Sequence, residues 1–170
     1  PEGVDIDLAE GIRAKFMYNG HIIGSTFIEL TLQDKVYVFS GDIGIKQDFL
    51  MRSPKRPTRA DYLFVESTYG DRLHPTDDPK EQLKQTVLKT IEKGGSLIIP
   101  SFAVERTQTI MYLLWQLKAE KEIPDIPMVM DSPMGANVLS VFENNQDWHK
   151  LSHAECVHMC EAFKIVSAYK

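Results

Sequence analysis

The spacing of apolar segments changes near residue 60, and this change limits the folds that the chain can adopt. Before it, the short segments 12–18, 25–32 and 35–40 are rich in β-branched and aromatic residues and are separated by turn residues. Consecutive short strands joined by tight turns are typical of an antiparallel meander. We therefore predict β structure over residues 4–42.

After residue 60, apolar runs alternate with helical patterns. The apolar runs predict strands, of the kind buried on both faces, at 61–68, 96–102 and 127–133, with one more at 163–169. Capping residues and apolar periodicity predict helices that begin at Asp78–Pro79, cover about 104–121 and 134–144, and begin again at Ser152. This alternation predicts an α/β fold in which a parallel sheet is flanked by helices.

Composition narrows the function classes without choosing one. The chain has 170 residues, 43% of them hydrophobic, and a net charge of −5, which fits one domain or parts of two and excludes a disordered chain. An acidic chain would need a local basic path to bind nucleic acid, and segment 46–61, with five basic residues and two prolines, reads as a linker. Because no apolar run approaches the roughly 18 residues of a membrane span, we expect no membrane partner.

The two cysteines, Cys156 and Cys160, lie in a stretch that also contains histidines, "WHKLSHAECVHMC". A structural zinc site is one interpretation, but the spacing is not that of a zinc finger and no CxxC is present. The alternative is an amphipathic helix in which cysteine is a small buried residue. Two such cysteines favour a reducing compartment, and we expect a cytoplasmic protein. The chain begins at Pro1, without methionine, so we expect a piece of a longer protein.

Polar side chains lie at the carboxyl ends of three of the predicted strands. In a parallel sheet the carboxyl ends of the strands lie at one edge, where anionic ligands bind near helix N-termini. At "VEST", "IPSF" and "MDSP", that edge would carry Glu66 and the candidate substrate-binding residues Ser67, Thr68, Ser101, Asp131 and Ser132. The alternative is that the serines and the aspartate are ordinary helix caps.

His21 and Asp42 form a second candidate site. Each follows a predicted strand and stands next to a glycine, in "NGHIIGS" and "FSGDIG". Glycine lets the backbone bend tightly, so that the short side chains of neighbouring strand ends reach a common point. A histidine nitrogen and an aspartate oxygen suit zinc or manganese. Taken singly, each residue is better explained as a structural histidine or a turn aspartate, and two ligands do not complete a metal site.

Five motifs in order carry a resemblance to a known family. The segments "GHIIGS", "FSGDIG", "VESTYGDRLH", "GGSLIIPSFAVERTQTIMYLL" and "MDSPMG" together resemble the β-CASP branch of the metallo-β-lactamase superfamily, whose members are metal-dependent nucleases. The resemblance implies that residues 1–45 are part of a metallo-β-lactamase domain and residues 62–170 are the N-terminal part of a β-CASP domain, with 46–61 between them. In form, these motifs resemble those of the RNA-processing members most, which include both exonucleases and endonucleases.

The resemblance also implies roles for particular residues. His21 and Asp42 match metal ligands, with Asp42 bridging two zinc ions in a site whose bridging hydroxide hydrolyses RNA, and Glu66 matches a carboxylate that supports proton donation to the leaving group. Arg106 matches the start of a "GRTQE"-like helix and is either a phosphate or domain contact or the partner of a carboxylate. Two positions depart from the pattern: Asn19 stands where alanine is usual, and Glu105 where glycine is common.

The metal-binding motif HxHxDH and the later histidine motifs of the family are not in these 170 residues. We therefore expect the isolated chain to be inactive, and its whole protein to be a ribonuclease that acts on single-stranded RNA. A homodimer or the subunits of a processing complex are the other expected partners. The alternative is a non-catalytic α/β scaffold, a pseudoenzyme, in an RNA-processing complex.

Overall fold

The computed structural model describes residues 2–73 and 75–166, which form two compact units. The first unit comprises residues 2–73 and 148–150, and the second comprises 75–147 and 151–166. The strands are Asp5–Ala9 (β1), Ile12–Tyr18 (β2), Thr26–Leu32 (β3), Lys35–Phe39 (β4), Tyr62–Phe64 (β5), Val129–Asp131 (β6) and Lys164–Val166 (β7). The helices are Pro79–Glu92 (α1), Arg106–Ala119 (α2), Pro133–Asn144 (α3) and His153–Glu161 (α4), with a 3-10 turn at Gln146–Trp148.

The first unit is built on a five-stranded sheet in the order β1-β2-β3-β4-β5. The first four strands form the predicted antiparallel meander. Its turns use backbone conformations suited to tight hairpins, with φ of +71° at Gly11 and +54° at Gln33. β5 then pairs parallel to β4, so this sheet is mixed, whereas the sequence pattern places the strand in the later parallel sheet. Buried side chains of the sheet and of the following segment form the core of this unit: Ala14, Tyr18, Phe27, Val38, Leu50 and Met51.

A short later segment, Trp148–Lys150, completes the first unit. The Tyr18 hydroxyl donates a hydrogen bond of 3.2 Å to the carbonyl of Trp148 and accepts one of 3.0 Å from the backbone N–H of Arg52. The Tyr18 and Trp148 rings pack with centroids 5.6 Å apart. The backbone N–H of Lys150 donates to the carbonyl of Leu50 at 2.7 Å. Trp148–Lys150 therefore lies along the core of a unit whose other residues come from the start of the chain.

The second unit consists of four helices and the parallel pair β6-β7. The predicted starts of α1 and α4 are confirmed. The Asp78 side chain accepts from the N–H of Lys80, with Pro79 as the first helical residue, and Ser152 and Glu155 form a complete capping box. The core lies between α1, α2 and the β6 region and includes Val87, Leu114, Leu117, Ile123 and Met128. Among the described residues, no helix combines the length and apolar character needed to cross a membrane.

Two strand predictions are wrong in detail. Residues 96–102 form no strand, and Ile98 and Phe102 are each 84% exposed. The strand within 61–68 forms only at Tyr62–Phe64, and its side chains are more than half exposed rather than buried on both faces. An apolar run records a preference for burial, but a strand also needs a neighbouring strand to pair with. Of the strand predicted at 163–169, residues 164–166 are confirmed, and 167–169 lie outside the described residues.

Helix α2 begins with a strained residue. Glu105, which stands where the sequence resemblance makes glycine common, has φ of +66° and ψ of −61°. The N–H of Arg106 donates to the carbonyl of Val104 at 2.9 Å, so Glu105 is the central residue of a three-residue γ-turn, a conformation that is rare and strained for residues other than glycine. The Glu105 side chain accepts a 2.7 Å hydrogen bond from the Thr109 hydroxyl, which offsets part of this cost.

We predict that Glu105→Gly raises the free energy of unfolding of the second unit by about 1 kcal/mol, because glycine removes the cost of a positive φ. The measurement is urea unfolding followed by Trp115 fluorescence in a Trp148→Phe background, since the chain has two tryptophans and Trp115 lies in α2. Glu105→Ala is the matched control: it keeps the strain, loses the bond to Thr109, and should be destabilised. Equal loss of stability in both variants would contradict the role assigned to strain.

Candidate functional site

The candidate site lies at one edge of the sheet of the first unit. β2 and β4 both run antiparallel to β3, and β5 runs parallel to β4. The carboxyl ends of β2, β4 and β5 therefore lie at the same edge. His21 follows β2, Asp42 follows β4 and Glu66 follows β5. The topology thus brings together His21, Asp42 and Glu66, which the sequence predicts to be site residues.

His21 and Asp42 are adjacent and open to solvent. The Nε2 atom of His21 lies 3.8 Å from Oδ2 of Asp42, and their side chains are 45% and 73% exposed. A nitrogen and a carboxylate oxygen at this separation suit two ligands of a common metal ion. Within residues 2–73 and 75–166, however, no group of three histidine, cysteine, aspartate or glutamate side chains is placed to hold a metal ion. The two residues fit part of a zinc site and do not complete one.

Glu66 binds the backbone of the loop that carries Asp42. Its Oε1 accepts a 2.7 Å hydrogen bond from the N–H of Ile43, and its Oε2 accepts one of 3.3 Å from the N–H of Thr68. The bond from Ile43 is the largest of the effects on this carboxyl and, with the bonds from Thr68, holds the pKa of Glu66 below its usual value, against a smaller opposing effect of burial. With both oxygens occupied, Glu66 acts here as an anchor for the residue next to Asp42.

Two glycines bring the His21 turn and the Asp42 loop into contact. A Cβ atom on Gly44 would overlap the carbonyl of Gly20, so these two backbones pack directly against each other. The N–H of Gly44 donates a 2.9 Å hydrogen bond to the carbonyl of Asn19. Gly20 has φ of +73°, a conformation that glycine adopts without strain. The glycines beside both predicted ligands thus allow the close approach that the sequence suggested.

The other predicted site residues do not join this group in one sheet. Ser101 lies in a segment without strand structure, where its hydroxyl is 2.9 Å from that of Thr107, and Asp131 ends β6 in the two-stranded sheet. The single sheet edge predicted for all three strand ends is therefore wrong, because β5 pairs with β4 and β6 pairs with β7. Ser132 is the N-cap of α3, accepting from the N–H of Gly135 at 3.0 Å, as the alternative interpretation has it.

The remaining candidates are exposed. The carbonyl of Ser67 accepts a 3.0 Å bond from the N–H of Gly70 in a turn, and the backbone of Thr68 is held by Glu66. Arg106 is exposed at the start of α2, and in the described part of the chain no carboxylate lies within ion-pair distance of it. Of the two interpretations of Arg106, the structure gives no support to pairing with a carboxylate of the described residues. Its role as a phosphate or domain contact stays a prediction.

The cysteines and the histidines at 153 and 158 lie in α4, which is an ordinary helix. Cys156 is buried, and burial raises the pKa of its thiol to about 11. Burial also raises the pKa of the Cys160 thiol. In the described part of the chain no three histidine, cysteine or carboxylate side chains are placed to hold a metal ion, so the amphipathic interpretation of this segment is the better supported one.

Sequence reasoning overlooked two polar residues that support the site. Ser40 is buried; its hydroxyl accepts a 3.0 Å bond from the N–H of Glu66 and donates one of 2.7 Å to the carbonyl of Gly41. Asn19, noted only as a departure from the usual alanine, is 3% exposed, and its amide nitrogen donates to the carbonyl of Ser40 at 3.0 Å. A polar residue directly after a strand and before a glycine was the only signal for either of them.

Comparison with known proteins supports the sequence resemblance. The Beta-Casp domain family matches residues 107–170. A protein named as a ribonuclease from Thermus thermophilus is 37% identical over 124 residues, covering 72% of this chain and 28% of that protein. An RNase J-like protein of Methanocaldococcus jannaschii is 32% identical over 146 residues, which are 83% of this chain and 34% of that protein.

A third relative is named as an endoribonuclease. An endoribonuclease named YSH1 from Eremothecium gossypii is 31% identical over 139 residues, covering 78% of this chain and 18% of that protein. In all three comparisons the chain spans about a third or less of the length of the relative. Each aligned segment is longer than either unit of this chain, so each alignment includes residues of both.

We predict that Gly44→Ala lowers the free energy of unfolding of the first unit by about 2 kcal/mol or more, because the added methyl group forces the Gly20 backbone to move. The measurement is urea unfolding followed by Trp148 fluorescence in a Trp115→Phe background. Gly95→Ala is the control, since a Cβ there meets only Thr90, at 3.6 Å. Unfolding of Gly44→Ala at the urea concentration of the parent would show that the two backbones are not in contact.

Proposed function

Since this chain belongs to the β-CASP family of nucleases, we propose that the protein it represents is a metal-dependent ribonuclease. The observation that carries the proposal is the placement of His21 and Asp42, with Nε2 and Oδ2 3.8 Å apart at one sheet edge. The relatives are named as ribonucleases and as an endoribonuclease, which supports RNA as the substrate and hydrolysis as the reaction.

The proposed metal is zinc, held as two ions. His21 would supply a nitrogen ligand to this site, and Asp42 would supply carboxylate oxygen. Bound zinc would supply Lewis-acid charge at the scissile phosphate and an activated water. Glu66 would keep Asp42 in place through the N–H of Ile43. Because the described residues provide two ligands, we also propose that the 170-residue chain alone does not cleave RNA.

Although the chain is acidic overall, a basic segment lies beside the candidate site, and this supports a nucleic acid as the substrate. A Cβ on Gly20 would come within 2.8 Å of the Arg52 carbonyl oxygen, and the N–H of Lys55 donates to the carbonyl of Tyr18 at 3.1 Å. This segment therefore runs along the turn that precedes His21. It carries five basic residues, Lys46, Arg52, Lys55, Arg56 and Arg59. Part of their charge is neutralised, since Lys55 pairs with Glu2 and Arg59 with Asp61.

The second candidate is a non-catalytic scaffold in an RNA-processing complex. It is favoured only by the incomplete ligand set among the described residues. A scaffold has no requirement for an exposed histidine and an exposed aspartate side by side at glycine-bounded strand ends. The two candidates differ in one measurable property, which is metal-dependent cleavage that requires these side chains.

We predict that His21→Ala and Asp42→Ala in the full-length protein each lose zinc and RNA cleavage while the fold is retained, because both side chains are largely exposed. The measurements are zinc content by atomic absorption and cleavage of labelled single-stranded RNA. His153→Ala, an exposed histidine at the start of α4, is the control and should change neither. Cleavage at the normal rate by Asp42→Ala would overturn the ligand assignment.

A second variant separates loop anchoring from metal binding. We predict that Glu66→Gln slows RNA cleavage by 10-fold or more and leaves zinc content unchanged, because a glutamine can accept from the N–H of Ile43 but its amide nitrogen cannot accept from Thr68. The rate and the zinc content are measured on the same preparation. Concurrent loss of zinc would show that Glu66 is itself a ligand.

A further inference from the structure

We propose that Asn19 is a positioning residue that sets the separation of the two metal ligands, His21 and Asp42. This inference rests on the proposed function, because it concerns the same site. The hydrogen bonds of Asn19 go to backbone groups, not to the side chains of His21 and Asp42. Asn19 acts through the backbone on both sides of each ligand, and its buried side chain is the part of this arrangement that an alanine does not reproduce.

Asn19 holds the loop around Asp42 at both ends. Its amide nitrogen donates a 3.0 Å hydrogen bond to the carbonyl of Ser40, two residues before Asp42. Its carbonyl accepts a 2.9 Å bond from the N–H of Gly44, two residues after Asp42. The aspartate is thus the midpoint of a five-residue loop whose ends are both attached to one residue. A Cβ on Gly41 would lie 3.3 Å from the Asn19 amide nitrogen, so the loop also packs on that side chain.

The same residue holds the turn that carries His21. The N–H of Asn19 donates to the carbonyl of Ser25 at 3.3 Å, and its side-chain oxygen lies 3.4 Å from the N–H of His21. The Ser25 hydroxyl shares this task, since it accepts from the N–H groups of His21 and Ile22 at 3.2 Å and 3.0 Å. The turn therefore has two polar supports, and Asn19 is the one that also reaches the Asp42 loop.

The burial of Asn19 explains why the bond to Ser40 matters. Asn19 is 3% exposed and Ser40 is 7% exposed, so water does not readily replace a lost partner. Replacing asparagine by alanine would keep the backbone bonds to Ser25 and Gly44. It would remove the donor to the Ser40 carbonyl and so free the beginning of the Asp42 loop. Residues that orient metal ligands typically change metal affinity 10- to 100-fold when they are replaced.

The experiment uses the full-length protein loaded with zinc. Zinc retained against a series of chelator concentrations is measured for the parent, Asn19→Ala and Asn19→Asp, the latter keeping the acceptor for His21 and losing the donor to Ser40. We expect both variants to bind zinc about 10- to 100-fold more weakly, with KM for RNA unchanged and kcat restored by added zinc. A residue that only stabilises the fold would lower the unfolding temperature without this recovery.

The control is Asn137→Ala, an exposed asparagine of α3, which should match the parent in zinc affinity. Zinc affinity of Asn19→Ala within twofold of the parent, or weakened equally in the control, would overturn the inference. If Asn19→Ala does not fold, the nearly isosteric Asn19→Asp decides: weaker zinc retention together with kcat restored by added zinc supports the inference, and zinc affinity within twofold of the parent refutes it. Retention of both zinc ions by His21→Ala or Asp42→Ala would instead refute the proposed function, so the two failures are distinguishable.

Discussion

The backbone of Gly44 packs against the carbonyl of Gly20 with no room for a side chain between them, and the candidate site depends on this contact. It places the turn after β2 against the loop after β4. The polar residues around it then have defined partners: Asn19 reaches Ser40 and Gly44, and Glu66 reaches Ile43. The bond from Asn19 to the Ser40 carbonyl is buried, and a buried hydrogen bond is costly to break because water does not readily replace the lost partner.

Local signals in the sequence predicted the elements whose formation is local. Pro79 after Asp78, and Ser152 three residues before Glu155, determine helix starts through bonds within one turn. The meander of β2, β3 and β4 follows in the same way from short alternating runs joined by tight turns. By contrast, 96–102 has an apolar composition typical of a strand, yet no described segment pairs with it. Pairing joins residues far apart in the sequence, and no local pattern specifies it.

The same distinction between local and long-range contacts applies to the residues of the candidate site. His21, Asp42 and Glu66 were recognisable because each stands at or just after the end of a predicted strand, and the topology brings the three to one edge. The residues that hold these side chains in place, Asn19 and Ser40, were not recognisable from the sequence. The bond from Asn19 to Ser40 crosses 21 positions, and the one from the N–H of Glu66 to the Ser40 hydroxyl crosses 26. A periodicity or a cap cannot encode such contacts, because they depend on which strand ends become neighbours after the sheet has formed.

The return of Trp148–Lys150 to the first unit has a consequence for how the chain folds. The contact between Tyr18 and Trp148 joins residues 130 positions apart, so the entropy of closing that loop opposes its formation until the intervening segment is compact. During synthesis the sheet of the first unit emerges long before Trp148. The Tyr18 hydroxyl therefore cannot bond to the Trp148 carbonyl until that later residue has been made. High-separation contacts of this kind slow folding. The last step in completing the first unit is therefore expected to follow the formation of helices that come between its two parts.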